Sequence, residues 1–167
     1  MKEAYELLLK EDFPSWLYQV KAGATTIWEH WDGIRPDGTM WSPDMNSFNH
    51  YAYGAVGDWL YRAAAGICLD EERPGGRHTR IFPRIGERLT FVRASFDSVY
   101  GPISAGWRTE NGAGVRLEVS LPPNTDAQIV LDGAKTVTDS AGLRFVPCEE
   151  GMCTEAGSGS YSIRFER

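Results

Sequence analysis

Residues 115–121, Val-Arg-Leu-Glu-Val-Ser-Leu, alternate apolar and polar side chains without interruption. Successive side chains of a strand point to opposite faces, so this period of two predicts a half-buried β-strand with its valines and leucines turned inward. The same alternation runs through Leu89-Thr90-Phe91-Val92-Arg93-Ala94-Ser95-Phe96. Between Gly106-Trp107-Arg108-Thr109 and the first stretch stands Asn111-Gly112, a pair that accepts the positive φ angles of a tight hairpin turn. Further strands are read at residues 127–131, 143–147 and 160–165, with turn signals at Pro122-Pro123-Asn124 and Asp132-Gly133. Strands at this spacing, with no helical period between them, predict an antiparallel β-sandwich over residues 77–167.

Upstream the pattern changes. Residues 3–10, EAYELLLK, are helix-prone, and Pro14 suits the first turn of a second short helix, SWLYQVKAG, closed by Gly23. From Ala24 to Met45 the chain is punctuated by Gly33, Pro36, Gly38 and Pro43, which predicts a long ordered loop. Apolar residues then recur at three- and four-residue spacing from Tyr51 to Ala64. This predicts a helix over residues 47–65, capped by Asn46 or Ser47 and stopped by Gly66. The stretch Asp70-Glu71-Glu72-Arg73-Pro74-Gly75-Gly76-Arg77 has the composition of a connection. The fold class read from the sequence is therefore α+β, with a short helical segment over residues 1–70 followed by the sandwich.

The full chain has 167 residues, 42% hydrophobic and 24% charged, a soluble globular composition. A mean hydropathy of -0.36 agrees with this. Its net charge of -6 argues against nucleic acid as a partner, because phosphate binding needs a basic surface. No apolar run approaches the roughly 20 residues of a membrane span, so no membrane partner is expected. The first residues, MKEAYELLLKEDF, lack a small-residue cleavage site and do not read as a secretory signal. Three cysteines are too few for a disulfide scaffold, and free thiols fit a cytoplasmic setting. Cys68, Cys148 and Cys153 form no zinc pattern with His30, His50 or His78, so no metal is expected, and the absence of a nucleotide fingerprint leaves no expected cofactor. Cys148 and Cys153 could meet across a hairpin at Glu149-Glu150-Gly151.

Aromatic residues and acidic charge gather in the first half. Five of six Trp and five of seven Tyr precede Gly66, and residues 1–70 carry a net charge of -5 against -1 for the rest. The chemistry is therefore sought in Thr25-Thr26-Ile27-Trp28-Glu29-His30-Trp31-Asp32-Gly33 and in Asn46-Ser47-Phe48-Asn49-His50-Tyr51-Ala52-Tyr53-Gly54. Indole faces cover the apolar C–H faces of a sugar, while carboxylates bind hydroxyls or activate water. A Glu flanked by Trp can act as an acid or a base. Trp28, Trp31 and Trp41 read either as sugar platforms or as a packed aromatic cluster. His50 reads either as a pocket residue or as a capping or packed histidine, and His30 as a solvated neighbour of Glu29. Asp37-Gly38 reads as a turn.

The segments GATTIWEHWDGI (residues 23–34) and DGTMWSPDMNSFNHYAYGAVGDWLYRAAAGI (residues 37–67) resemble the end of the catalytic domain of bacterial α-L-rhamnosidases. PGGRHTRIFPRIGERLTFVRASFDSVYGPISAGW (residues 74–107) and the later strands resemble the carboxyl-terminal β-sandwich of that family. The resemblance implies that the helical segment is a remnant of an α/α barrel of six hairpins that removes terminal α-L-rhamnosyl groups with inversion. It implies further that Glu29 matches the general base and that His50 lines the sugar pocket. No segment matches the family's general acid. Alone, the chain is then expected to be inactive, with a rhamnosyl-containing glycoside as ligand and either self-association or an upstream catalytic-barrel polypeptide as partner. The competing reading is a non-catalytic carbohydrate-binding or accessory structural module.

Overall fold

The computed structural model describes residues 1–44 and 46–167. The chain forms two compact units, Met1–Asp58 and Trp59–Arg167.

In the first unit, helices α1 (Lys2–Leu8) and α2 (Trp16–Lys21) lie where the sequence places them. The buried Ser15 caps α2, its hydroxyl accepting from Tyr18 N at 3.0 Å. Pro14 therefore stands one residue before the cap and outside the first turn. The expected loop follows, its last residue, Met45, lying outside the described residues. A bridge between Ile34 and Met40 closes a turn at Asp37-Gly38, where Gly38 has φ +82°. Asp37 accepts hydrogen bonds from the Thr39 hydroxyl at 2.7 Å and the Thr39 N–H at 2.9 Å. These bonds, the hydroxyl first, hold the Asp37 carboxyl below its ordinary range.

The predicted helix over residues 47–65 starts later and is less regular than its periodicity suggests. It begins at Tyr51 as a 3₁₀ turn (Tyr51–Ala55), passes through α3 (Val56–Trp59) and ends in a π turn (Leu60–Ala65). Neither Asn46 nor Ser47 caps it; His50 does. The reason is competition for backbone groups, because Ser47 O and His50 N are already bonded to Glu29 N and Ile27 O. Its stop is the one read from the sequence, Gly66 in the left-handed region at φ +80°.

The second unit is the strand-rich one. Its strands are β1 (Ile67–Leu69), β2 (His78–Ile81), β3 (Phe91–Ser98), β4 (Gly101–Thr109), β5 (Gly114–Asp132), β6 (Thr136–Asp139), β7 (Val146–Cys148) and β8 (Gly151–Glu166). The two strands read at residues 115–121 and 127–131 are one long strand, β5, paired along its length with β8. Pro122-Pro123-Asn124 is not a hairpin turn. It belongs to an irregularity in which the register jumps from Leu121 opposite Gly159 to Asp126 opposite Gly157. Prolines cannot donate to a ladder, and a bulge is the place a strand tolerates them. The first part of β5 pairs with β4, and β3 follows beyond it. The part after the bulge pairs with β2, and β1 follows. The β2–β5 pairing is parallel, the one such pairing among the described strands of an otherwise antiparallel arrangement.

Inward residues from these strands form one core. Ile103, Ala105 and Trp107 of β4 meet Val115, Leu117 and Val119 of β5, Ile163 and Phe165 of β8, and Ile67 and Ile81 of the first two strands. Residues 64–66 are built into it. The buried Trp107 indole donates to Ala64 O at 2.7 Å. A Cβ at Gly66 would stand 2.1 Å from Pro83 N, so the backbones meet there at a separation only glycine allows. No disulfide joins Cys68, Cys148 or Cys153 among the described residues, and burial and the neighbouring Cys148 push the Cys153 thiol up. No helix among the described residues is long and apolar enough to cross a membrane.

Two substitutions test this junction. Trp107→Phe removes the donor from a buried carbonyl, at a cost of about 1–3 kcal/mol. Gly66→Ala forces a side chain into a positive φ and into the Pro83 backbone, so it is expected to cost more than Trp107→Phe. Urea unfolding followed by circular dichroism at β-sheet wavelengths measures both. Wild-type midpoints for either variant would remove residues 64–66 from the load on the core.

Candidate functional site

The site is built on a backbone clasp. Glu29 N donates to Ser47 O at 2.9 Å and His50 N donates to Ile27 O at 2.8 Å, setting residues 27–29 beside residues 47–50. The Thr26 hydroxyl adds a bond to Phe48 O. Inside the clasp, Trp28 is 4% exposed and packs edge-on against Phe48 at 5.2 Å between ring centroids. Gly33 closes this contact, since a Cβ there would lie 3.3 Å from both rings and from His30 O. Of the three tryptophans proposed as platforms, Trp28 is thus turned into the scaffold and offers no open face.

Glu29 is partly exposed, with its Oε2 at 4.0 Å from His30 Nε2. The His30 ring stacks on Trp41 with centroids 3.9 Å apart and planes 16° from parallel. Its carbonyl accepts from the amide of the buried Gln19 at 3.3 Å. His30 is therefore a fixed spacer between Glu29 and Trp41, not the solvated neighbour the sequence suggests. Trp41 is 41% exposed and keeps an open edge. Trp31 packs against Trp16 and Tyr53, each at 4.9 Å between centroids, and its buried indole N–H has no hydrogen-bond partner among the described residues. His50 is half-buried, and its Nδ1 accepts from Ala52 N at 3.4 Å. A ring nitrogen that accepts carries no proton, so neutral His50 holds its proton on Nε2 and can donate there.

Glu29, His30 and Trp41 thus share one patch, with the His50 segment clasped to it. Sequence reasoning quoted Phe48 and Gly33 within its candidate stretches but gave them no packing role, and it did not single out Gln19, which holds the His30 carbonyl, or Trp16, which packs on Trp31 and Tyr53. The one available signal was Gln19, a polar side chain within the buried span of a short amphipathic helix.

A different constellation lies in the second unit. His78 Nδ1 is bonded to the Asp126 carboxylate, and Arg73 Nη1 stands 4.0 Å from the same oxygen. With Glu155 these groups bring three possible metal-ligating atoms within 4.8 Å of one another. Residues so far apart in sequence show no ligand spacing; the parallel β2–β5 register, His78 opposite Asp126, brings them together. Glu155 accepts from the Gln128 amide at 3.4 Å and Asp126 is engaged by both Arg73 and His78, so the arrangement is already an ion-pair and hydrogen-bond network.

Comparison with known proteins gives the context. The family model of the bacterial alpha-L-rhamnosidase 6 hairpin glycosidase domain matches residues 1–64, and that of the bacterial alpha-L-rhamnosidase C-terminal domain matches residues 66–143. An alpha-L-rhamnosidase of Streptomyces avermitilis is 47% identical over 161 residues, a match covering 95% of this chain and 15% of that protein. The crystal structure of the Streptomyces avermitilis alpha-L-rhamnosidase complexed with L-rhamnose superposes with a TM-score of 0.86 at 44% identity, covering 96% of this chain and 16% of that one. Native alpha-L-rhamnosidase from Aspergillus terreus gives a TM-score of 0.81 at 35% identity, with 96% of this chain and 17% of that one covered. The chain thus spans about 15% of the length of the first of these relatives.

The different placement of two tryptophans is directly testable. Trp28→Ala empties a packed site and is expected to cost about 3–5 kcal/mol, whereas the exposed Trp41→Ala should stay within about 1 kcal/mol. Near-ultraviolet circular dichroism and urea unfolding distinguish them. Equal effects would contradict the assignment of Trp28 to the scaffold.

Proposed function

From a chain that belongs to the bacterial α-L-rhamnosidase family, matching part of its hairpin domain and its C-terminal domain, we propose that residues 27–50 form the base-bearing side of a rhamnosidase active site. The observation that carries this reading is the clasp, which holds the partly exposed Glu29 and the His50 segment side by side on paired backbone.

In the proposed reaction Glu29 takes a proton from a water molecule as that water attacks the anomeric carbon of a terminal α-L-rhamnosyl group. The bond to the leaving oxygen breaks as a second carboxyl group protonates it, and the configuration inverts. Inversion needs the two carboxyl groups about 6.5–9.5 Å apart, with room for the water between them. The acid comes from a polypeptide segment outside this chain. His50, protonated at Nε2, donates to a sugar hydroxyl, and the open edge of Trp41 covers a C–H face of the ring. Trp28 keeps the loop rigid from behind. Tyr51, 90% exposed, is a surface suited to neighbouring barrel helices.

Two outcomes are expected. Alone, the chain gives no measurable hydrolysis of p-nitrophenyl α-L-rhamnoside. Joined behind the preceding hairpins of the Streptomyces avermitilis relative, it supports turnover that Glu29→Gln lowers by about 10²–10⁴-fold in kcat, the range of general acid–base catalysis, with KM little changed. Turnover by the isolated chain, or full activity of the Glu29→Gln fusion, would reject the assignment.

A further inference from the structure

The outward face of β3, β4, β5 and β8 carries a groove of about 470 Å³, within the range of small-ligand sites. The ladder registers fix what stands on it. One row across the strands reads Phe91, Arg108, Arg116, Arg164; the next reads Arg93, Gly106, Glu118, Ser162; a third reads Ser95, Ser104, Ser120, Ser160. The side chains between these positions, such as Ala105, Trp107, Leu117 and Ile163, point into the core. These rows therefore form a polar surface about 14 Å wide, from three strand spacings of about 4.8 Å.

The first row is electrostatically unfavourable as it stands. Like charges directly opposite on neighbouring strands destabilise a sheet, and here three guanidiniums are adjacent. Glu110 lies between two of them, at 2.9 Å from Arg116 Nε and 3.5 Å from Arg164 Nε, and Asp139 adds a contact to Arg164 at 3.3 Å. Arg108 has no such partner among the described residues, and neither has Arg93. Both are exposed. In the second row Gly106 has a purpose, since a Cβ there would lie 3.3 Å from Arg93 Cγ, so its absence leaves room for the arginine stem. Two uncompensated cations thus sit in a groove on a chain of net charge -6.

We infer that this groove is a binding site for a carboxylate-bearing saccharide, a uronate-containing oligomer, separate from the site around Glu29. Arg93 and Arg108 match planar carboxylates through paired N–H donors. Ser104, Ser120, Ser160 and Ser162 exchange hydrogen bonds with sugar hydroxyls. Phe91, 67% exposed at the groove edge, offers an apolar face to ring C–H groups. Glu118, also exposed, accepts from hydroxyl donors.

Isothermal titration calorimetry of the 167-residue chain with a galacturonic acid tetramer tests this, with a galactose tetramer and poly-L-glutamate as comparisons. The uronate tetramer is expected to bind and to weaken with added salt; the neutral sugar and the acidic peptide should bind at least tenfold more weakly. Arg93→Gln and Arg108→Gln, both at exposed positions, should each weaken binding about tenfold while leaving the unfolding midpoint unchanged. Glu29→Gln should leave it intact. No binding by the wild-type chain, equal binding of polyglutamate or the neutral tetramer, indifference to both arginine substitutions, or loss of binding in Glu29→Gln would each overturn the assignment. None of these results bears on whether Glu29 is the rhamnosidase base.

Discussion

The long ladder between β5 and β8 carries the second unit. Each strand is too long to serve one flat sheet, and the register jump between Leu121 and Asp126 resolves this. Before it, β5 takes β4 as its second neighbour; after it, β2. The bulge is held locally, with the buried Thr125 hydroxyl donating to Pro122 O at 2.7 Å and Asn124 at φ +64°. On the partner strand Gly157 and Gly159 lie opposite, and Gly159 has φ +148°. Two strands thereby supply both ends of the sheet system, and their inward residues meet in one core.

That core has a functional consequence, because it makes the outward face of β3, β4, β5 and β8 a rigid display. Side-chain rows set by ladder hydrogen bonds keep their spacing without help from a ligand, so charges on them are preorganised. The first unit reaches a similar end by other means. Its loop has almost no regular structure, so backbone bonds between residues 27–29 and 47–50 and the Trp28–Phe48–Gly33 packing take the place of a sheet. The side chains left over from that packing, Glu29 and Trp41, are the ones that face outward.

The aromatic loop illustrates why the candidate site was only partly legible. Composition singles out this loop, since Trp beside Glu is visible in any reading of residues 28–31. Composition cannot say which tryptophan is inside. Trp28 and Trp41 have the same chemistry and differ only in partners: Phe48 and Gly33 enclose the first, while the His30 ring supports the second on one side. The network of His78, Asp126 and Glu155 was invisible for a related reason, being assembled by strand register across distant parts of the chain.

What the sequence alone determined is what local chemistry settles. The period of two in Val115–Leu121 sets which side chains of that strand enter the core, Gly66 marks a helix end, and Asp37-Gly38 makes its turn, because each outcome depends on groups a few residues apart. The tertiary structure decided where local preference met a long-range competitor. Residues 47–50 were read into the start of the helix but gave their backbone groups to residues 27–29, so the helix started late. Pro122-Pro123-Asn124 had the composition of a turn, yet β8 runs past it on the far side and holds β5 as one strand. Hydrogen-bond partners far away in sequence and close in space won both contests, and a window of neighbouring residues carries no record of them.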